Sequence, residues 1–433
     1  MKSDWGLSYL AGVPFRHRAS RARLGALRDR RLGWLVRHAV KHIPFYSELL
    51  EQHDVDPRSI GSFQDLECLP VVTRQMLLKA GERAWATDVP HSRRTMASTS
   101  GSTDKPLTLA FSFEDRLRKH AVSLHCMSLY GWRPWHRGMA LGSQALPRDH
   151  RLQRLGFSRW HWVDPTRPVS EWLEDYDRVR PQALHAYPSA LREFCFQARE
   201  RGPLQWLPRV LSVGGELCPE ELAPLTRDVF GVAPLTMYGA VEGGRLAFEC
   251  REHSGLHVRL DGVHLEILAG GRPVEAGQPG SVYITSLINT VMPIIRYELG
   301  DLATWVPGEC RCGLWWPRIV LHQGRSSDVV SLSGGRHVPI TNLASIVGKS
   351  RAIRQFQFVR RADDHLVLRY EPQGDAAGTL EQIHHQLREA LPGITVELEM
   401  TGQLPRTRSG KVRRLVDESV SNLRETAKKE ASE

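Results

Sequence analysis

Apolar and polar positions along the chain repeat with two periods, and each period predicts a different element. Leu107, Leu109, Phe111 and Phe113 fall on alternate residues, the spacing of a half-buried strand. Leu32, Leu35, Val36, Ala39, Val40 and Ile43 recur at three- and four-residue spacing, which predicts a helix that Pro44 ends. Residues 209–213 read as a buried strand, Gly214-Gly215-Glu216 as the turn after it, and Pro219 to Leu222 as the first turn of a helix. Residues 282–287 form another apolar strand. Past Asp328 the pattern reads strand (Phe356, Phe358), strand (Leu366, Leu368, Tyr370), helix (Leu380, Ile383, Leu387, Leu391) and strand (Ile394, Val396, Leu398, Met400), with a charged helix predicted from Asp417 to Glu433. The fold class is therefore α/β, and ligands in such sheets gather at the carboxyl ends of strands, where Gly214-Gly215-Glu216 lies.

The chain has 433 residues, more than one core organises, so two domains are expected: a large one over 1–326 and a small α/β lobe over 327–433. Apolar content of 41% and charged content of 24% describe a globular chain, and no apolar run reaches the roughly 18 residues of a membrane span. The first residues lack the apolar core of a signal peptide, so a cytoplasmic location is expected. The net charge of +10 favours anionic partners. Much of the excess lies early, in Arg16, Arg18, Arg21, Arg23, Arg28, Arg30, Arg31, Arg37 and Lys41. These cations fall on an amphipathic helix without interleaved aromatics, so a solvated basic face is expected rather than a nucleic-acid surface.

Candidate chemistry begins with Ser98-Thr99-Ser100-Gly101-Ser102-Thr103-Asp104-Lys105-Pro106. Hydroxyls and backbone N–H groups can donate to phosphate, Gly101 lets the backbone approach, and Lys105 adds charge. The spacing is not that of the common G-x-x-x-x-G-K-[ST] loop, and an ordinary hairpin turn is the alternative. A second cluster of cations surrounds Gly410 and Lys411; taken alone it reads as a solvated loop.

Seven cysteines without a secreted context argue against a disulfide framework. Cys68, Cys126, Cys195 and Cys218 are scattered and expected to be buried thiols. Cys250 with His253 and Cys310 with Cys312 form two closely spaced pairs, which suit a tetrahedral structural Zn²⁺ site; four unrelated polar residues are the alternative.

Taken in order, these pieces resemble the adenylate-forming superfamily, most closely its phenylacetate-CoA ligase and capsule-biosynthesis branch. Thr99 to Pro106 is similar to the family's phosphate loop and Gly214-Gly215-Glu216 to its adenine-contacting turn. Tyr238-Gly239-Ala240-Val241-Glu242 resembles Y-G-x-[ST]-E, Arg296 to Asp301 the ribose segment, Gly324 to Asp328 the inter-domain hinge, and Pro405 to Lys411 the final P-[RK]-T-x-[ST]-G-K. The resemblance implies a large N-terminal adenylation domain and a mobile C-terminal lobe. It also implies attack of a small-molecule carboxylate on the α-phosphate of ATP with Mg²⁺, then transfer of the acyl group to a thiol, most often coenzyme A. A carrier-protein thiol, an amine, a hydroxyl or a cofactor is the alternative acceptor, and a basic zinc-containing nucleic-acid-binding protein is a remote one.

The resemblance further implies roles for single residues. Lys411 would be the catalytic lysine and Glu242 the Mg²⁺ ligand. Thr99, Ser100, Gly101, Ser102, Thr103 and Lys105 would hold phosphates, Tyr238 with Gly239 the adenine, Asp301 the ribose, and Arg325 the ribose or phosphate side. Val241 departs from the family's Ser or Thr, removing a hydroxyl near the α-phosphate, and Ser327 stands where Asp is usual. Some members of the branch bind zinc at positions like these cysteines. A homodimer is compatible with the sequence.

Overall fold

The computed structural model describes residues 12–99, 106–142, 153–164, 167–325, 329–331, 337–348, 350, 352–362, 364–373, 377–405 and 412–418. The chain first forms α1 (Arg21–His42), α2 (Pro44–Gln52), α3 (Arg74–Ala80), β1 (Thr95–Ser98), β2 (Thr108–Phe111) and α4 (Phe113–Leu129). It continues through β3 (Arg137–Leu141), β4 (Arg159–Val163), α5 (Val169–Val179), β5 (Ala183–Ala186), α6 (Pro188–Arg201), β6 (Val210–Gly214) and α7 (Leu222–Phe230). An all-strand stretch follows: β7 (Leu235–Ala240), β8 (Gly244–Glu249), β9 (Leu256–Val258), β10 (Val263–Ala269), β11 (Arg272–Pro273), β12 (Pro279–Ser286), β13 (Tyr297–Val306) and β14 (Arg318–Arg325). The last elements are β15 (Val329–Ser331), β16 (His337–Pro339), α8 (Ile340–Gly348), β17 (Ile353–Ala362), β18 (His365–Pro372), α9 (Ala377–Ala390), β19 (Thr395–Met400) and β20 (Leu415–Asp417). By contact these fall into two compact units, one of residues up to 133 with 235–322, the other of 134–234 with the residues from 323 onward.

In the first unit the strand order is β11-β10-β12-β13-β14-β9-β8-β7. The helix expected around Leu32 is longer than its apolar spacing predicts, because the Ser20 hydroxyl caps it by accepting from the Arg23 amide. Pro44 does more than end α1. Ile43 is extended, and Pro44 opens α2 at its first position, where a missing N–H costs nothing. The expected strand through Phe113 stops two residues early. Ser112 accepts from the Asp115 amide at 3.0 Å while the Asp115 carboxylate accepts from the Ser112 amide at 3.1 Å, so a capping box starts α4 there and leaves Phe113 64% exposed.

Asp115 also reaches across the unit. Its fully buried carboxylate accepts from Arg118 and from both the amide and hydroxyl of Thr290, at 3.0 and 2.8 Å, and Arg118 Nε donates to the Ile288 carbonyl at 3.1 Å. The start of α4 thereby fixes the segment around residue 289.

The second unit holds a parallel sheet, β6-β5-β3-β4, in which α5 crosses from β4 to β5 and α6 from β5 to β6. Trp172 and Tyr176 of α5, Leu191 and Phe194 of α6 and Phe230 of α7 bury against Met139, Leu184 and Leu211 of its strands. The helix expected from Pro219 begins at Leu222. Its other sheet, β19-β18-β17-β20, follows the expected strand, strand, helix, strand order, with Phe356, Phe358, Leu366, Leu368, Ile383 and Leu387 in its core. One turn of α6 holds β17 by its backbone: Arg192 donates to the carbonyls of Ile353 and Arg354 at 2.7 and 3.0 Å, and the Ser189 carbonyl accepts from Gln355 at 2.9 Å. The charged segment expected after Asp417 lies, from 419 on, outside the described residues.

Candidate active site and cysteine cluster

The expected phosphate loop lies in sequence between β1 and β2, whose antiparallel register pairs Ser98 with Thr108. Ser100, Gly101, Ser102, Thr103 and Lys105 lie outside the described residues. Thr99 is buried; its amide donates to the Leu107 carbonyl at 3.0 Å, and its hydroxyl accepts from the Leu107 amide at 3.3 Å and from Arg74 at 2.9 Å. Arg74 opens α3 and was not visible as a loop partner in the sequence, because nothing in its spacing relates it to Thr99.

At the end of β7 the Tyr238 hydroxyl donates to the Asp301 carboxylate of β13 at 2.6 Å, a short charge-assisted bond that fixes both groups. Gly239 has no room for a side chain, since a Cβ there would come within 2.8 Å of the Gly244 carbonyl. Glu242 follows in the turn and is largely buried, and its carbonyl accepts from Asn289, carried by the segment that Asp115 holds. Tyr238, Asp301 and Glu242 thus stand on one framework within the first unit. Arg296, the first residue of the expected ribose segment, is structural: it donates to the carbonyls of Glu67 and Leu69 at 3.0 and 2.6 Å and pairs with Glu266.

Lys119 is a further charge that the sequence did not single out. Its ammonium donates to the Val241 carbonyl at 2.7 Å and lies 3.7 Å from the centre of the Phe111 ring. Desolvation lowers it to about 7, against the opposing pull of Asp115 and Glu242. An unfolded lysine titrates near 10.5 and the folded one near 7, so the folded chain binds fewer protons between those values and its stability rises with pH across that window. In Lys119→Met, denaturant midpoints measured from pH 7 to 10 are expected to lose that component of the rise; a slope identical to that of the parent chain would contradict the assignment.

In the second unit Gly214 ends β6 and Gly215 takes φ +82°, a left-handed turn that glycine adopts without strain. Glu216 turns onto α6, accepting from the amide and the hydroxyl of Ser189 at 3.0 Å each, close to the positive end of the helix. Arg325 lies at the end of β14. Lys411 lies outside the described residues.

The cysteine pairs do converge, with one change of partner. The ligand atoms of Cys250, His257, Cys310 and Cys312 all lie within 4.8 Å of one another. Cys250 and Cys310 sulfurs are 3.6 Å apart, and Cys312 sulfur is 3.3 Å from His257 Nε2. Zn–S bonds of about 2.3 Å and Zn–N bonds of about 2.0 Å set tetrahedral edges near 3.5–3.8 Å, so the donor set fits zinc. His257 Nδ1 is 3.0 Å from the Trp316 carbonyl, to which it can donate, presenting Nε2 as the lone-pair nitrogen. Desolvation opposes ionisation of Cys310, yet hydrogen bonds from Ser254 and Cys312 draw it down to about 6, while burial pushes Cys250 up to about 12. A cation is what would let both ionise.

His253, the expected fourth ligand, is not part of this group. It sits in a tight turn at φ +47° with Nδ1 3.0 Å from the Glu249 carboxylate. His257, on β9 and fully buried, takes the place next to the sulfurs, because strand pairing rather than sequence proximity brings it there. Among the other cysteines, Cys126 and Cys195 are buried as expected, whereas Cys68 is exposed and Cys218 half-buried. Several early cations are spent internally: Arg31 donates to the Asp261 carbonyl, Arg28 stacks on Phe63 at 4.4 Å, and Arg16 faces Asp261 at 3.8 Å. No described helix is long and apolar enough to cross a membrane.

No family model matches the chain. Over 92% of its length it is 25% identical to the phenylacetate-coenzyme A ligase of Thermus thermophilus, covering 97% of that protein. It is 26% identical, again over 92% of its length, to the Escherichia coli phenylacetate-coenzyme A ligase, covering 96% of it. Its fold matches the crystal structure of a 2-hydroxyisobutyryl-CoA ligase in the postadenylation state with TM-score 0.76 and 21% identity, over 97% of this chain and 94% of that one. Over nearly its whole length the chain is thus similar in sequence to phenylacetate-CoA ligases, and its fold is that of the 2-hydroxyisobutyryl-CoA ligase.

Proposed function

We propose that the chain is an ATP-dependent, AMP-forming ligase that activates a carboxylate as its acyl-adenylate and passes the acyl group to coenzyme A. The observation that carries this is end-to-end similarity to phenylacetate-CoA ligases, spanning 92% of the chain and 96–97% of the relatives. Coenzyme A is favoured as acceptor over a carrier protein, an amine or a hydroxyl because these relatives, and the structural neighbour, are all CoA ligases by name.

In the first half-reaction the carboxylate oxygen attacks the α-phosphorus and pyrophosphate leaves. Such transfers are driven by positioning and by charge placed on the equatorial and leaving oxygens. Lys411 supplies that charge between carboxylate and α-phosphate. The residues from Thr99 to Lys105 hold the leaving phosphates, with Thr99 fixed by Arg74. Asp301, already oriented by Tyr238, accepts from the ribose hydroxyls, and Tyr238 packs on the adenine with Gly239. Glu216 is occupied by α6, so any role of its turn at the base falls to the backbone of Gly214 and Gly215. Arg325 meets the ribose or phosphate side.

Glu242 would hold Mg²⁺, which takes one or two carboxylates and leaves its remaining positions to phosphate and water; the ion would neutralise phosphate charge. Cys250, His257, Cys310 and Cys312 would hold a structural Zn²⁺ that ties β8 and β9 to the loop between β13 and β14. The residues from 327 onward act as the mobile lobe that carries Lys411.

The reading is tested by carboxylate-dependent ATP–pyrophosphate exchange over a panel of aryl and short alkyl acids, followed by thioester formation with and without CoA. Exchange with at least one acid, and a thioester only when CoA is present, is the expected result. Exchange absent across the panel while the chain binds nucleic acid in a salt-dependent way would overturn it.

A further inference from the structure

We propose that His38, His42 and Asp88 form a second metal site, selective for a borderline divalent transition ion such as Zn²⁺, Ni²⁺ or Co²⁺ and independent of both the cysteine cluster and the ligase reading. The two histidines are four residues apart near the end of α1, which puts them on one helix face, with ring centres 4.9 Å apart. One donor atom from each, together with a carboxylate oxygen of Asp88, lies within 4.8 Å of the others. His42 Nδ1 and the Asp88 oxygen are 3.7 Å apart, beyond a hydrogen bond and close to the separation of two donors on one ion.

Two of the three donors, His38 and Asp88, are held in place by the fold. His38 Nε2 is 2.9 Å from the Thr290 carbonyl, to which it can donate, so Nδ1 keeps the lone pair, and Trp34 stacks on the same ring at 4.7 Å and 8°. A histidine anchored by a carbonyl on its far nitrogen is the usual supporting arrangement of metal ligands. The turn bearing Asp88 is tied down on both sides. The amide and hydroxyl of Thr87 donate to the His42 carbonyl at 2.9 and 3.0 Å, the Ala86 amide donates to the Val291 carbonyl at 2.7 Å, and Arg94 donates to the Val89 carbonyl at 2.8 Å. Two imidazoles and one carboxylate select borderline ions over Mg²⁺ or Ca²⁺, which prefer all-oxygen sites, and three protein ligands leave a position for water.

The site adjoins a segment already described. Thr290 is held by Asp115, and its neighbour Asn289 holds the Glu242 carbonyl. An ion on His38 would therefore stiffen the support of Glu242 without touching a substrate.

The test is a Co²⁺ titration of the full chain after one equivalent of Zn²⁺ has been added to fill the cysteine cluster, followed by metal analysis after gel filtration. The expected result is one further equivalent, showing visible d–d bands without the near-ultraviolet thiolate-to-cobalt charge transfer that the cysteines would give. His42→Ala should abolish this equivalent, and Asp88→Asn, on an exposed turn, should weaken it by more than the roughly 10–100-fold that loss of a mere supporting partner costs. Circular dichroism and melting of both variants check that they fold, and Asp88→Asn serves should His42→Ala not. No second equivalent in the parent chain, or an unchanged one in a folded variant, overturns the proposal.

Discussion

Lys411→Ala is expected to lower carboxylate-dependent ATP–pyrophosphate exchange by roughly 10²–10³-fold, the loss that follows removal of one preorganised group stabilising transition-state charge. The same variant should still convert a supplied acyl-adenylate to the thioester at a rate near that of the parent chain, since there the thiol attacks the acyl carbon and AMP leaves by C–O cleavage, with no bond to phosphorus made or broken. The split matters more than the size of the loss. A misfolded variant would lose both halves, and a lysine acting only by binding ATP would raise KM while sparing kcat. An exchange rate equal to that of the parent chain would remove Lys411 from the chemistry.

On the proposed four-ligand site, the double variant Cys310→Ser, Cys312→Ser is expected to lose bound zinc and much stability with it. Structural zinc contributes on the order of 10 kcal/mol in small domains. Even a loss of about 4 kcal/mol in a unit of this size would lower its melting midpoint by roughly 8–16 °C. His257→Ala should do the same, whereas His253→Ala should leave zinc content and melting unchanged, because His253 faces Glu249 and stands apart from the sulfurs. Metal analysis of protein purified without chelator reads all three variants; zinc retained by the double variant, or lost from His253→Ala, would refute the four-ligand set.

What the sequence made legible is what depends on neighbours in the chain. The alternation of Phe356 with Phe358 and of Leu366 with Leu368, and the helical spacing of Ile383 and Leu387, record burial of one face, and those elements stand where the pattern puts them. Phe113 shows the limit of such patterns. It continues an alternation set by Leu109 and Phe111, but the Ser112–Asp115 capping box decides the local conformation, since satisfying helix-end N–H groups outweighs one more strand residue.

Partners set by long-range pairing were not legible. His257 reaches Cys312 only because β9 pairs with β8 and β14, so the shorter C-x2-H spacing pointed to the wrong histidine. Arg74 meets Thr99, and Asn289 meets Glu242, across loops whose closure leaves no periodic mark. The motif residues are assigned by their order along the chain. The groups that brace them are scattered, and only the fold assembles them.

The bond from Thr290 to Asp115 spans 175 residues, and it has a temporal meaning. As the chain leaves the ribosome, α4 emerges with Asp115 and Arg118 able to answer only each other, and the whole parallel sheet of the other unit is synthesised before residues 288–291 appear. Closing so long a loop is entropically costly and slow. The contacts that brace Glu242 are thus expected to form only after the parallel strands of 134–234 have left the ribosome. Nascent chains arrested before residue 288 should accordingly show no protease-resistant fragment from α4.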